Sequence, residues 1–295
     1  MHVLGPASDR SAAQAVADAR RRLQACSDRL SRFRPSSELC RLNADPRERV
    51  PVSPIMARFA GAAVRAAAQT GGLVDPTLVD EIERAGYRSD HRVSLPLEIA
   101  LALAPRRQPA HADDRRRWRG VRVDHRTRTV TRPSGVMLDS GGVAKGLLAD
   151  LLGHSLRGHA SFAVDCAGDL RVGGGAAMPR TVRVASPFAD EILCEYELVD
   201  GGVATSGIAR RSWLDLDGRP AHHLLDPSIG RPAFTGVVQA TALAPTALEA
   251  ETRVKAAVLA GPSAAPEWLV HGGVIVLDDG SHQVIASPSA RLSAA

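Results

Sequence analysis

The sequence predicts an α+β fold in which a mostly antiparallel sheet is flanked by helices. Helical and extended segments are interspersed along the 295 residues, which favours this class over a doubly wound parallel sheet. The second half consists of short extended segments separated by Gly, Asp and Pro, a pattern typical of hairpins. We expect a single domain over residues 1–295, with two lobes at about 1–155 and 156–295.

The helices are predicted from apolar periodicity and from residues that favour helix ends. An amphipathic pattern covers residues 12–33. Ser53 followed by Pro54 is typical of a helix start, and Gly71-Gly72 ends the Ala-rich segment that follows. Further helices are predicted over residues 97–104, 145–156 and 247–259.

The strands are predicted from short runs of β-branched and apolar residues between turn residues. They cover residues 162–164, 170–172, 181–184, 195–199 and 202–204, with a closing hairpin formed by 273–278 and 282–286. The few residues before the first helix leave little room for an N-terminal strand.

Much of the positive charge of the chain is concentrated in one segment. Its formal net charge is +5, and ten arginines lie between Arg106 and Arg132. Val121, Val123 and Val130 alternate with polar residues, which predicts a hairpin with arginines on its solvated face. A nucleic-acid-binding surface is the alternative, although no nucleic-acid module signature accompanies the charge. Attraction of an anionic nucleotide is a third interpretation.

The cysteines and the chain start predict a cytoplasmic protein, or one whose start is incomplete. The four cysteines form no CxxC pair, so we expect free thiols. The first residues lack the segments of a secretory signal, and there is no run of about 18 apolar residues that could span a membrane.

Residues 138–150 carry the clearest chemical pattern in the chain. Asp139, Gly142 and Lys145 stand in a glycine-rich connection between a predicted strand and a predicted helix. Glycines allow close approach of backbone N–H groups to an anion, and a helix start offers unpaired donors. The segment matches neither GxGxxG nor the P-loop pattern. It predicts a phosphate or metal site, with an ordinary strand-to-helix turn as the alternative.

Five polar segments occur in a fixed order, and together they resemble the ApbE family of FAD:protein FMN transferases. The similarity spans about residues 15–280, and the most specific segment is the run from His223 to Pro232, with its Asp-Pro and Gly-x-Pro turns. The resemblance implies an ApbE-like (T-fold-like) architecture. The five segments are residues 31–43, 71–77, 138–150, 204–210 and 222–232.

The resemblance implies a reaction with FAD as substrate and Mg²⁺ as cofactor. A threonine or serine hydroxyl of an acceptor flavoprotein attacks the FAD pyrophosphate, FMN becomes attached, and AMP leaves. The expected partners are FAD and this acceptor, without nucleic acid or membrane insertion. An FAD-binding or FAD-hydrolysing member of the family, without transferase activity, is the alternative.

The resemblance also implies roles for individual residues. His223 matches the general base, and Asp226 in the same segment is assigned to catalysis with it. His222 is a plausible substitute for His223, and a lone histidine before a turn is otherwise simply hydrogen-bonded. The residues expected to bind FAD are Gly72, Leu73, Val74, Asp75, Asp139, Lys145, Thr205, Ser206, Gly207 and Leu224.

The expected metal ligands are where the chain departs from the family pattern. The candidates are Gly142, Glu251 and Lys255. Glu251 stands where much of the family has aspartate, and Lys255 stands at a threonine ligand position, although an ammonium cannot ligate Mg²⁺. Either the metal uses fewer protein ligands, or Lys255 pairs with Glu251 and takes over part of the role of the cation. A simple surface salt bridge is the third interpretation.

Overall fold

Helices and strands are interspersed along the chain, as the sequence predicts. The computed structural model describes residues 1–5, 7, 10–89, 94–288 and 290–294. Its helices are α1 (Ala12–Leu30), α2 (Glu38–Ala44), α3 (Pro54–Gln69), α4 (Val79–Arg84), α5 (Leu97–Ala102), α6 (Ala144–Leu156), α7 (Ala247–Ala260) and α8 (Ala265–Trp268), with a 3₁₀ turn at Arg117–Gly120.

The largest sheet has seven antiparallel strands in the order β1-β5-β6-β9-β14-β15-β16. They are β1 (His2–Leu4), β5 (Ser161–Cys166), β6 (Asp169–Gly173), β9 (Gly201–Gly207), β14 (Val237–Ala244), β15 (Gly273–Leu277) and β16 (His282–Ile285).

Smaller sheets complete the fold. Their strands are β2 (Arg49–Pro51), β4 (Thr129–Thr131) and β3 (Arg122–Asp124); β17 (Arg291–Ala294), β8 (Ile192–Leu198) and β7 (Arg180–Ala185); and the pairs β10 (Ser212–Leu214) with β11 (Pro220–His222) and β12 (Leu225–Asp226) with β13 (Arg231–Pro232).

The seven-stranded sheet is covered on both faces. Helices α6 and α7 contact each other and strands β5, β6, β9 and β14. The helix layer lies so close that a Cβ on Gly202 of β9 would be 2.3 Å from the Ala247 nitrogen. The sheet of β7, β8 and β17 covers the opposite face, where the Gln239 amide donates to the Ala185 carbonyl at 2.9 Å. The central strands are therefore buried from both sides.

The first part of the chain builds a second core beside this sandwich. Helix α3 packs on β3 and β4, and its Met56 and Phe59 are completely buried. Ser53 caps α3 by accepting the Met56 N–H, and Pro54 occupies the first turn, where no N–H is needed. The predicted helix start is thus confirmed.

The predicted fold class is confirmed, but several strands were not foreseen, among them β14 and β1. The central strand β14 was missed because it is buried on both faces, so its Ala-rich run lacks the alternation that marks a half-exposed strand. The expectation of little room for an N-terminal strand was wrong, since β1 pairs with β5 from His2 onward. The basic hairpin also gains a third strand, β2, on β4.

Two expectations about the whole chain concern its thiols and its membrane segments. The four cysteines are free thiols, as predicted. Within the described ranges, no helix combines the length and the apolar character needed to cross a bilayer.

Candidate active site

Two cavities meet at a group of shared residues. Their volumes are about 380 and 470 Å³, so each lies in the roughly 300–1,000 Å³ range of small-molecule sites. Gly141, Lys145, Arg211, His223 and Lys255 line both cavities, and we call these five residues the neck. Because three of the five carry a positive charge, the neck favours an anionic group with further parts of the ligand on either side.

The first cavity has an aromatic wall. Phe33 and Tyr87 lie edge to face with ring centroids 5.3 Å apart. The Arg32 guanidinium lies 4.6 Å from the Phe33 centroid and 5.2 Å from the Tyr87 centroid. All three residues line the cavity. Such a wall of rings and a guanidinium plane suits a planar heteroaromatic group.

Asp139 is held at the edge of this cavity by an arginine. Arg32 Nε donates to Asp139 Oδ1 at 3.1 Å, and the other Asp139 oxygen accepts the Gly141 N–H at 3.2 Å. The Arg32 side chain is only 6% exposed. Asp139 therefore fixes the start of the glycine-rich connection and lines the first cavity, where the sequence predicted a nucleotide contact.

The first of the five polar segments acts by positioning this connection. The Asn43 amide on α2 accepts the Leu138 N–H at 2.8 Å and donates to the Leu138 carbonyl at 2.9 Å. Glu38, also on α2, accepts the N–H and the hydroxyl of Ser53, both at 2.6 Å. These bonds tie α2 to the start of α3 and to the backbone before Asp139.

The predicted FAD loop lies against the first cavity. Leu73, Val74 and Asp75 line it. The Asp75 Oδ1 atom accepts the N–H and the hydroxyl of Thr77 at 2.7 and 2.6 Å, while its Oδ2 is buried and has no hydrogen-bond partner among the described residues. Burial raises the pKa of Asp75 more than the Thr77 hydrogen bonds lower it. Oδ2 is therefore available to a ligand N–H or O–H group.

Gly72, which precedes this loop, has a structural role. Its φ of +100° favours glycine, and a Cβ there would lie 3.1 Å from the Trp118 Nε1 atom. Gly72 is not among the residues that line either cavity. It shapes the loop, and a contact between Gly72 and FAD stays a prediction.

The two lysines of the neck are each held by a buried carboxylate. Lys145 Nζ lies 3.0 Å from Asp169 Oδ2, and Lys255 Nζ lies 2.9 Å from Glu251 Oε1. Burial raises the pKa of Glu251, but Lys255, Lys145 and the Gly146 N–H outweigh burial, so this pKa is lowered. Burial and the charge of Glu251 raise the pKa of Asp169. Each carboxylate therefore fixes the position of its lysine ammonium group.

His223 stands in the neck as a neutral imidazole. It follows β11 directly, and its Nδ1 is buried without a hydrogen-bond partner among the described residues. Burial lowers the pKa of His223 well below the usual value, and the charges of Arg211, His222 and Lys255 lower it further. A neutral imidazole at this position can accept a proton from a group in the neck.

His222 is not placed to substitute for its neighbour. It is 1% exposed and is not among the residues that line either cavity. Its Nδ1 accepts the Leu224 N–H at 3.2 Å, and its ring packs edge to face on Phe234 at 4.7 Å between centroids. The expectation that His222 could act as the base was therefore wrong, because its ring faces the core.

The burial of His222 predicts a loss of stability in acid. Burial lowers its pKa to about 3, whereas an unfolded histidine has a pKa of about 6.5. Because the unfolded chain binds the extra proton between these values, stability should fall as the pH drops below about 6.5. We expect His222→Gln to reduce that loss by about 2 kcal/mol between about pH 6.5 and 5.

Urea unfolding at both pH values measures this difference. His154→Gln, on the exposed side of α6, serves as the matched control. Equal acid sensitivity of the two variants would contradict the assignment.

Asp226 holds a turn beneath the site. Its Oδ1 accepts the His111 N–H at 3.1 Å, the Ser228 N–H at 2.9 Å and the Ser228 hydroxyl at 2.7 Å. It is 3% exposed and is not among the residues that line either cavity. Through Oδ1, Asp226 holds the segment that carries His223 and Leu224, and its assignment to catalysis stays a prediction. Leu224 lines the first cavity.

The predicted Thr-Ser-Gly turn borders the second cavity. Thr205, Ser206 and Gly207 all line it at the end of β9. The Thr205 hydroxyl is 2.8 Å from the Thr241 hydroxyl of the neighbouring strand β14. This cavity is walled on its other side by Val182 and Val184 of β7. It therefore lies between the two sheets, next to the neck.

Sequence reasoning missed five residues of the site: Arg32, Phe33, Tyr87, Asp169 and Arg211. Arg32 stands inside the first polar segment, and Arg211 immediately follows the fourth, so their positions offered a signal. Tyr87 offered none, because its place depends on how the segment after α4 packs against Phe33 and Trp213.

The expected metal ligands do not form a donor set for a divalent cation. Gly142 lines the first cavity, but both oxygens of Glu251 are bonded, Oε1 to Lys255 and Oε2 to the Gly146 N–H at 2.8 Å. In the part of the chain that the structure describes, no three His, Cys, Asp or Glu residues come together to hold a metal. The Lys255 ammonium stands where an oxygen ligand would be required.

Part of the arginine-rich segment is paired with neighbouring carboxylates. Arg115 lies 2.9 Å from Asp113, and Arg117 lies 2.7 Å from Glu81. Arg119 stacks over Trp118 at 5.4 Å. The charges of Arg115 and Arg117 are therefore balanced within the protein, and a nucleic-acid-binding surface stays an alternative that no module signature supports.

Known proteins resemble this chain over most of its length. The ApbE family model matches residues 3–277. The "FAD:protein FMN transferase" of Escherichia coli (strain K12) is 27% identical over 256 residues, which cover 84% of this chain and 71% of that protein. The protein of the same name from Salmonella typhimurium is 28% identical over 261 residues, with the same coverage.

Solved structures agree with this similarity. The ApbE protein from Thermotoga maritima has a TM-score of 0.75 at 26% identity, and the match covers 94% of this chain and 91% of that one. The flavinyl transferase ApbE from Pseudomonas stutzeri has a TM-score of 0.70 at 22% identity, and the match covers 96% of this chain and 88% of that one. It shows the shared fold. Because the family model matches nearly the whole sequence and the fold agrees, the chain belongs to the ApbE family.

Proposed function

We propose that this chain transfers FMN from FAD to a threonine or serine hydroxyl of an acceptor flavoprotein and releases AMP. The observation that carries the proposal is the neck, where three cations and a neutral histidine join two cavities. The relatives named FAD:protein FMN transferase support the same activity.

Different parts of the substrate bind in the two cavities. One ring system of FAD lies against the wall of Phe33, Tyr87 and Arg32, and Asp75 Oδ2 accepts a hydrogen bond from it. The pyrophosphate lies at the neck, where Lys145 contributes positive charge together with Lys255 and Arg211. The second cavity, bordered by residues 205–207, receives the remaining part of the complex.

The reaction needs a base and neutralisation of charge. His223 accepts the proton of the incoming hydroxyl, whose oxygen forms a bond to the phosphorus of the FMN half. The bond from that phosphorus to the bridging oxygen breaks, and AMP leaves with this oxygen. The cations of the neck stabilise the charge that develops on the phosphoryl oxygens. The magnesium implied by the family stays a prediction, and no step here passes through it.

Intact-mass measurement tests the proposal directly. The full chain is incubated with FAD and a candidate acceptor flavoprotein, and the acceptor should gain the mass of FMN less one water. An acceptor whose target hydroxyl is removed by substitution with alanine is the control and should not change. FAD that is split without modification of the acceptor would indicate a hydrolase, and FAD that stays intact would indicate a binding protein; either result contradicts the proposal.

A further inference from the structure

Lys255 combines burial with access to the ligand space. Its side chain is 8% exposed and lines both cavities, while Glu251, one helical turn earlier, is completely buried beneath it. Glu251 accepts one of the three ammonium donors of Lys255. The remaining donors are available to the oxygens of a ligand in the neck.

The Glu251–Lys255 pair is poorly explained by stability alone. Taking both charges out of water costs several kcal/mol per ion, so a buried ion pair adds little to the stability of a fold. Glu251 does more than pair with Lys255, since it also accepts the Gly146 N–H at the start of α6. The arrangement holds an ammonium at a fixed point in the neck.

The neck carries surplus positive charge. Lys145, Lys255 and Arg211 face the cavities, and the carboxylates of Asp169 and Glu251 lie behind the two lysines. The raised pKa of Asp169 reduces its negative charge near neutral pH. This surplus favours a pyrophosphate at the neck.

We infer that the Lys255 ammonium is the cation that contacts the FAD pyrophosphate at this position, in place of a divalent metal. FAD binding by this chain is therefore independent of Mg²⁺. The inference rests on the proposed function, in which the pyrophosphate lies at the neck. It follows from the observation that both oxygens of Glu251 are bonded, one to Lys255 and one to the Gly146 N–H, where metal ligands were expected.

Titration of the full chain with FAD, followed by flavin fluorescence, tests the inference. The dissociation constant should be the same in EDTA and in Mg²⁺, and Lys255→Arg should preserve this independence because it retains a cation. If FAD binds only when Mg²⁺ is present, the inference is overturned and the proposed function stands. If FAD binds in neither solution, both are overturned.

A double variant removes the cation without leaving a buried charge unpaired. In Glu251→Gln/Lys255→Met both charges disappear, and the glutamine oxygen still accepts the Gly146 N–H. This variant should fold, as judged by its melting curve, and bind FAD about 10- to 100-fold more weakly in both solutions. Unchanged FAD affinity would overturn the inference.

A second double variant rebuilds oxygen ligands at the same positions. In Glu251→Asp/Lys255→Thr the ammonium is replaced by a hydroxyl, and Mg²⁺ should then strengthen FAD binding, unlike in the unmodified chain. Equal stimulation of both proteins by Mg²⁺ would contradict the role assigned to Lys255.

Discussion

His223→Ala is expected to lower the rate of FMN transfer by about 10²- to 10⁴-fold. The imidazole lies in the neck, and its lowered pKa keeps it neutral and able to accept the hydroxyl proton. FAD affinity should change little, because Lys145, Lys255 and Arg211 remain. The single-turnover rate of mass gain by the acceptor measures the chemical step, and a fluorescence titration measures FAD binding.

The dependence on pH and on added imidazole distinguishes a base from a structural residue. The rate of the unmodified chain should fall in acid as the imidazole becomes protonated, and it should persist to lower pH than an ordinary histidine would allow. The variant should lose this dependence and regain rate when imidazole is added. His154→Ala, on the exposed side of α6, is the control and should retain the full rate. A loss confined to FAD affinity would contradict a catalytic role.

Gly146→Ala is expected to cost about 3 kcal/mol or more of unfolding free energy. A Cβ at Gly146 would lie 2.5 Å from the Ala247 carbonyl oxygen and 2.8 Å from the Leu248 Cα, which are backbone atoms of α7. The two helices are also joined where Asp150 accepts the N–H groups of Ala247 and Leu248, both at 2.9 Å. Neither helix can move aside without breaking these bonds.

Urea unfolding measures the cost of this substitution. Gly175→Ala is the control, because its Cβ would meet only the His159 carbonyl oxygen at 3.9 Å, and its stability should stay close to that of the unmodified chain. The Gly146→Ala variant should also lose FAD affinity, since the Gly146 N–H binds Glu251 beneath Lys255. Equal stability of the two variants would show that α6 and α7 are less tightly packed than the structure indicates.

Local chemistry explains which parts of the fold could be predicted. The start of α3 follows from Ser53 and Pro54, whose capping acts within one turn. Strand β14 was missed because both of its faces are covered by other layers, and alternation is a signal only when one face meets water. The pairing of β1 with β5 joins residues far apart in the chain, so no local pattern reports it.

The candidate site was likewise predictable only in part. The segments with His223, Asp139 and Lys145 were identified from the sequence, and the structure brings all three to one cavity. Asp226 was assigned to catalysis with His223, yet one of its carboxylate oxygens, Oδ1, accepts three bonds from neighbouring backbone and hydroxyl groups. Adjacency in sequence did not reveal which of the two side chains faces the cavity.

The sequence by itself determined the fold class, the family resemblance and the order of the polar segments, because these depend on residue type and spacing. Only the tertiary structure decided what those residues do. In the folded protein the Asn43 side-chain amide bonds to both the N–H and the carbonyl of Leu138, and Glu251 is buried against Lys255. Hydrogen bonds and ion pairs depend on distances between residues that are remote in sequence, and folding alone sets those distances.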